Sequence, residues 1–167
     1  MSTTITRATL DEFTRAYIEA ALWSSTLDPF EPCPVCGKET VLNRWNEQQN
    51  HVCDSCSDRE PNYEPPADEN YSTEDISSET LAKMIADCQA FQAAHDNLFT
   101  DENCTHYSRE YSVTEYAGHD FWLTRNGHGC GFWDGDWQEP AATTLTNAAR
   151  ACGEVNLYVG DDGMIYN

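Results

Sequence analysis

The chain has 167 residues and carries 29 Asp and Glu against 9 Lys and Arg, a formal net charge of -20 at pH 7. That charge opposes phosphate backbones and anionic membrane surfaces, so neither direct nucleic-acid binding nor membrane-surface binding is expected as the main function. A hydrophobic content of 40% with 11% aromatic residues excludes wholesale disorder, and the length suits a single domain carrying a small insert. No apolar run approaches the roughly 20 residues of a membrane span. Residues 1–7 lack the apolar stretch of a signal peptide, so a cytoplasmic location is expected.

The first expected helix covers residues 10–23. Thr9 and Glu12 have capping-box spacing, and Leu10, Phe13, Tyr17, Ala20 and Ala21 form one apolar stripe. Ser24-Ser25 and Asp28-Pro29 end it. In residues 29–58 helical periodicity gives way to cysteine knuckles. Residues 59–75 form an acidic, Pro-rich connector with Pro61, Pro65 and Pro66, expected to be extended. The second helix starts near Ser77, with Ile76 and Leu81 placed for a hydrophobic staple. Leu81, Met84, Ile85, Cys88, Phe91, His95 and Leu98 continue it along one face.

The remainder reads as strand-rich. Residues 115–125 and 129–133 flank Asn126-Gly127, a two-residue hairpin signal because both central positions need positive φ. A short third helix is expected over residues 143–151, with Gly153 as its cap. Residues 155–159 and 164–166 flank Gly160-Asp161-Asp162-Gly163 as a second hairpin. The fold class that follows is α+β: two helices, antiparallel hairpins and a short third helix, with a zinc-knuckle insert. Residues 1–28 and 67–167 form the domain, 29–58 the zinc-ribbon-like insert and 59–75 the connector.

Cys33-Pro34-Val35-Cys36-Gly37 and Cys53-Asp54-Ser55-Cys56 form a C-x2-C-x16-C-x2-C pattern, the spacing of a zinc site. Each CxxC turn sets two sulfurs on one side of a tight loop, and four thiolates make a closed tetrahedron around Zn2+. The expected cofactor is therefore a structural Zn2+ on Cys33, Cys36, Cys53 and Cys56; iron satisfies the same geometry. The spacing resembles a zinc ribbon or rubredoxin-like knuckle pair, with Val41-Leu42 and His51-Val52 as its strands. Cys88, Cys104, Cys130 and Cys152 stand singly, mostly as small buried hydrophobes.

If Asn126-Gly127 is a hairpin turn, His119 lies opposite Asp134, and Phe121, Leu123, Cys130 and Phe132 share the core face. Trp122 then covers Gly131 on the other face. Trp122, Trp133, Asp120 and Asp134 are the candidate partner-binding residues, because aromatics dominate interface hot spots. His119, His128 and Asp134 are the candidates for hydrolase chemistry, but without an accompanying nucleophile or phosphate loop a cross-strand polar pair is the better reading.

The tract Gly118-His119-Asp120-Phe121-Trp122-Leu123-Thr124-Arg125-Asn126-Gly127-His128-Gly129 resembles a family of small acidic proteins of bacteriophages and prophages. So do Ala21-Leu22-Trp23-Ser24-Ser25 and Leu157-Tyr158-Val159-Gly160-Asp161-Asp162-Gly163. The resemblance implies a phage-encoded protein in bacterial cytoplasm and carries no catalytic residues with it. Charge and resemblance together give three expectations. The first is a binding protein that occupies a host protein, with its carboxylates mimicking DNA. The second is an accessory protein binding a partner through its Trp-rich hairpin. The third, least favoured, is a hydrolase centred on His119 and Asp134.

Overall fold

Three short polar side chains start three helices. Asp11 accepts the Thr14 N–H (3.0 Å), Ser77 the Thr80 N–H (3.2 Å) and Ser112 the Glu115 N–H (3.1 Å). Each bond satisfies a backbone donor that a helix leaves without an internal partner. The computed structural model describes residues 9–25, 27, 30–32, 39–41, 44–45, 51–52, 67, 70–105 and 111–167. Among them are four α-helices: α1 (Glu12–Ser24), α2 (Ser78–His95), α3 (Val113–Arg125) and α4 (Ala141–Ala151). Near the C-terminal end β5 (Tyr158–Val159) pairs antiparallel with β6 (Ile165–Tyr166), which is the second expected hairpin. Upstream, β1 (Phe30–Pro32) pairs with β2 (Glu39–Val41), and β3 (Arg44–Trp45) with β4 (His51–Val52), both antiparallel.

The fold is mostly helical, which corrects the α+β expectation and its two helices plus a short third. The hairpin expected around Asn126-Gly127 is helix α3 and the turn that ends it. Ser112 and Glu115 form a capping box, the Glu115 carboxylate accepting the Ser112 N–H at 2.8 Å. Gly127 does have positive φ (70°), but as the residue after a helix rather than the corner of a hairpin. A left-handed Gly serves both purposes, so the dipeptide alone cannot distinguish them. The run from Asp120 to Arg125 is buried on every side, as befits a central helix. It therefore shows neither the period of a half-buried strand nor an amphipathic stripe. The first helix also starts two residues later than expected, with Asp11 rather than Thr9 as its cap.

The metal expectation is corrected as well. A tetrahedral centre needs four donors converging on one point. Among the described residues no three His, Cys, Asp or Glu side chains are placed to hold a metal ion. Cys33, Cys36, Cys53 and Cys56 lie outside the described residues. β4 pairs with β3, not with the segment at Val41. The Ala67 N–H donates to the Ser25 carbonyl at 2.9 Å. Of the four single cysteines, Cys88 and Cys104 are buried, and Cys152 is exposed.

Helices α1 and α3 run side by side in the same direction. At their starts the Ser112 hydroxyl donates to Glu12 (2.9 Å), and at their ends the Trp122 indole donates to Ser24 (2.8 Å). Between these points Gly118 sits against the Phe13 carbonyl, where any Cβ would collide with backbone. Around that crossing Phe121 stacks on Phe91 (4.0 Å between centroids) and packs near Phe13 and Tyr17. Polar groups on α3 are satisfied inside the core: Asp120 accepts the Trp137 indole N–H (2.7 Å), and Thr124 the Phe132 N–H (3.0 Å).

Arg125 closes the core. Its side chain is 3% exposed. The guanidinium donates to the Tyr17 hydroxyl (2.8 Å), the Asp87 carboxylate (2.8 Å), the Cys152 carbonyl (3.0 Å) and the Gly153 carbonyl (2.8 Å). It also lies 5.2 Å from the centre of the Phe121 ring. Burial works against its charge, yet Tyr17 and Asp87 more than offset this and raise its pKa above the ordinary arginine value.

Replacing Arg125 with Gln should cost about 3 kcal/mol, because it strips partners from a buried network. Asp87→Asn should cost less, about 1–2 kcal/mol: that carboxylate is half in solvent, but its loss leaves the buried guanidinium without a counter-charge. Urea unfolding of the two variants checks the ranking. Gly118→Ala should cost about 3 kcal/mol in the same assay, as overpacking against rigid backbone does.

Candidate functional site

A groove of about 630 Å³ lies between α1, α3 and the segment of residues 71–74. That volume falls in the ~300–1,000 Å³ range of binding clefts. On α1 it is lined by Ala16, Glu19, Ala20 and Trp23, which recur every three or four residues and so share one face. Tyr116 and His119 face it from α3, and Tyr111 from just before that helix. The third wall is a short 3-10 turn, Thr73–Asp75, started where Asp75 accepts the Ser72 N–H at 2.7 Å.

Two large aromatics stand half in solvent at this groove: Trp23 is 50% exposed and Tyr111 58%. Trp23 leans over the His119 ring, with centroids 5.9 Å apart. Tyr111 meets Tyr116 edge-on at 5.9 Å. These contacts hold both rings while leaving faces open to a ligand.

The groove is also acidic. Glu19, Glu74 and Glu115 line it, together with His119, and among the described residues no Lys or Arg does. The Ser112 N–H and then Arg15, 2.8 Å away, hold the Glu115 carboxyl below the usual carboxylate range despite some desolvation. Glu115 therefore stays ionised at neutral pH. Glu74 is exposed and, among the described residues, has neither an ion pair nor a hydrogen bond.

Of the residues singled out from sequence, His119 lines the groove and the others fall elsewhere. Trp122 is 1% exposed and belongs to the core. Asp120 is buried against the Trp137 indole. Trp133 is 48% exposed on the turn after α3, where Asp134 accepts the Gly131 N–H at 3.2 Å. Trp122 and Asp120 are thus inside while Trp133 and Asp134 are outside, and the four do not form one surface. The cross-strand His119–Asp134 pair disappears with the hairpin. His119 instead approaches Asp120 (3.4 Å), and the His128 N–H closes the helix end on the Leu123 carbonyl (3.0 Å). Thr124, not Trp122, packs against Gly131.

Trp23, Glu74, Tyr111 and Tyr116 were not among the expected site residues. One signal was present in the sequence: Trp23 lies at the end of an amphipathic helix but off its stripe of Phe13, Tyr17, Ala20 and Ala21. A large aromatic in that position is free to serve a partner.

No family model, curated protein or solved structure matches this chain. The likenesses to bacteriophage proteins and to zinc ribbons therefore gain no support from these comparisons. Among the described residues no helix is long and apolar enough to cross a membrane.

Acrylamide quenching of tryptophan emission checks the site's exposure. Trp23→Phe and Trp133→Phe should each remove quenchable emission. Trp122→Phe should remove only shielded emission and should also destabilise the fold by about 1 kcal/mol through loss of the Ser24 bond.

Proposed function

We propose that the protein is a non-catalytic binding protein that docks a protein partner in the groove between α1, α3 and residues 71–74. The observation that carries this reading is the pair of half-exposed aromatics, Trp23 and Tyr111, set beside a concave surface. Rigid aromatics in a cleft supply contact area at little entropic cost and dominate binding energy at interfaces. The net charge of -20 favours a partner with a basic surface, steered to the protein over long range. A host DNA-processing enzyme, the partner expected from sequence, is one basic protein of this description.

Full DNA mimicry needs carboxylates free to stand in rows. Several here are engaged locally: Asp11 and Glu115 cap helix starts, Asp75 caps its own turn and Asp87 meets Arg125. Groove docking is therefore the stronger form of the reading. The hydrolase alternative needs a working acid–base pair, whereas His119 is turned to Asp120 and Asp134 to its own turn.

Capture from a bacterial lysate by immobilised wild-type protein, by Trp23→Ala and by Tyr111→Ala tests the site. The expected result is a partner retained by wild type and reduced at least tenfold by each variant, with helical content unchanged. Equal capture by all three would contradict docking in this groove.

A further inference from the structure

Taking the groove as the docking site, we infer that His119 is its pH-sensitive element: protonation of this imidazole tightens its hold on the Trp23 ring, and deprotonation loosens it. Three observations carry the inference. The His119 and Trp23 rings are in contact, with centroids 5.9 Å apart and planes tilted by 33°. That separation lies within the ~6 Å at which a cation is drawn to an aromatic face, and tryptophan is the best such acceptor. On its other ring edge, Nδ1 of His119 lies 3.4 Å from Oδ1 of Asp120. Oδ2 of Asp120 accepts the Trp137 indole N–H at 2.7 Å, which fixes that carboxylate in place. Finally, His119 lines the groove and its side chain is partly exposed, so solvent protons reach it.

Histidine is the side chain whose charge ordinarily changes between about pH 5 and pH 8. A neutral imidazole offers Trp23 a ring contact alone. An imidazolium adds a cation–π attraction to Trp23 and a charge-assisted hydrogen bond to Asp120. Both favour the protonated form, and by linkage protonation favours both contacts in return. Other charged groups approach the same ring from each wall. Glu19 of α1, Glu74 of the 3-10 turn and Glu115 of α3 line the groove with the Tyr111 and Tyr116 phenols, and Arg15 of α1 is bound to Glu115. The carboxylates act in the direction of Asp120, and Arg15 acts against it. Cys130, on the turn after α3, is near Asp134, Asp120 and Asp136. Burial and then these carboxylates push its thiol up, so it stays uncharged through this range.

The full chain without any partner provides the test. The probe is the Trp23 contribution to emission, taken as wild type minus Trp23→Phe. An imidazolium in contact with an indole quenches its emission more strongly than a neutral imidazole does. The contribution should fall about twofold from pH 8 to pH 5, the window of histidine protonation, with far-UV circular dichroism unchanged. His119→Gln should abolish the fall. His128→Gln, at a histidine outside the groove, should leave it intact. Asp120→Asn, which keeps an oxygen for the Trp137 indole, should move the fall to lower pH. A Trp23 contribution that is flat with pH, or a fall that persists in His119→Gln, would overturn the inference. A fall accompanied by loss of helical signal would also overturn it, because acid unfolding would then account for the change. A fall that stays in place in Asp120→Asn would overturn the part assigned to Asp120. These outcomes leave groove docking standing, and equal capture in the lysate comparison would overturn docking without altering the emission result.

Discussion

The structure depends on one buried cation. Arg125 stands at the last turn of α3, and its guanidinium reaches Tyr17 on α1, Asp87 on α2 and the carbonyls of Cys152 and Gly153 just beyond α4. Removing a charge from water costs several kcal/mol, so a buried arginine persists only where the surroundings return that cost. Here the Asp87 carboxylate, a phenol and two carbonyls do so. The Cys152 carbonyl is one that a helix end leaves without a partner, at the negative pole of the α4 dipole. The same side chain therefore satisfies the end of α4 and fixes three other helices around α3. The neutralised charge explains why a core this aromatic can contain an ion at its edge.

That anchoring positions the groove. With the Arg125 end of α3 held by Tyr17 and the middle held where Gly118 meets Phe13, α1 and α3 are locked side by side. Trp23, Tyr116 and His119 then come to line one groove. Two helices pointing the same way place two positive dipole ends together. Asp11, Glu12 and Glu115 gather at those starts, so part of the acidity is an answer to helix packing. What distinguishes the groove is the exposed Glu74 carboxylate beside a half-exposed tryptophan.

Sequence patterns were most legible where an amphipathic stripe and a cap coincided. The stripe from Leu81 to Phe91 behind Ser77 is α2, and Gly160-Asp161-Asp162-Gly163 does join β5 to β6. The third helix lies where Thr143 to Ala151 suggested, extended back to Ala141. The failure at α3 has a definite physical origin. A helix buried on all sides has no polar face to give it a period, and Asn126-Gly127 serves a helix end as well as a hairpin. The Ser112–Glu115 capping box was the discriminating signal. Misreading that segment also displaced the expected site, because Trp122 and Asp120 face the core of a helix rather than the surface of a sheet. The groove itself was not legible, since it joins residues nearly a hundred positions apart whose proximity follows from α1 lying along α3.

Amide chemical-shift mapping of the full chain, titrated with the protein it captures from lysate, tests groove docking most directly. Shifts confined to residues 16–23, 71–74 and 111–119 are expected, with the Trp23 indole among the most perturbed. Shifts spread over the exposed face of α2 and the β5–β6 hairpin, with Trp23 and Tyr111 unmoved, would contradict it.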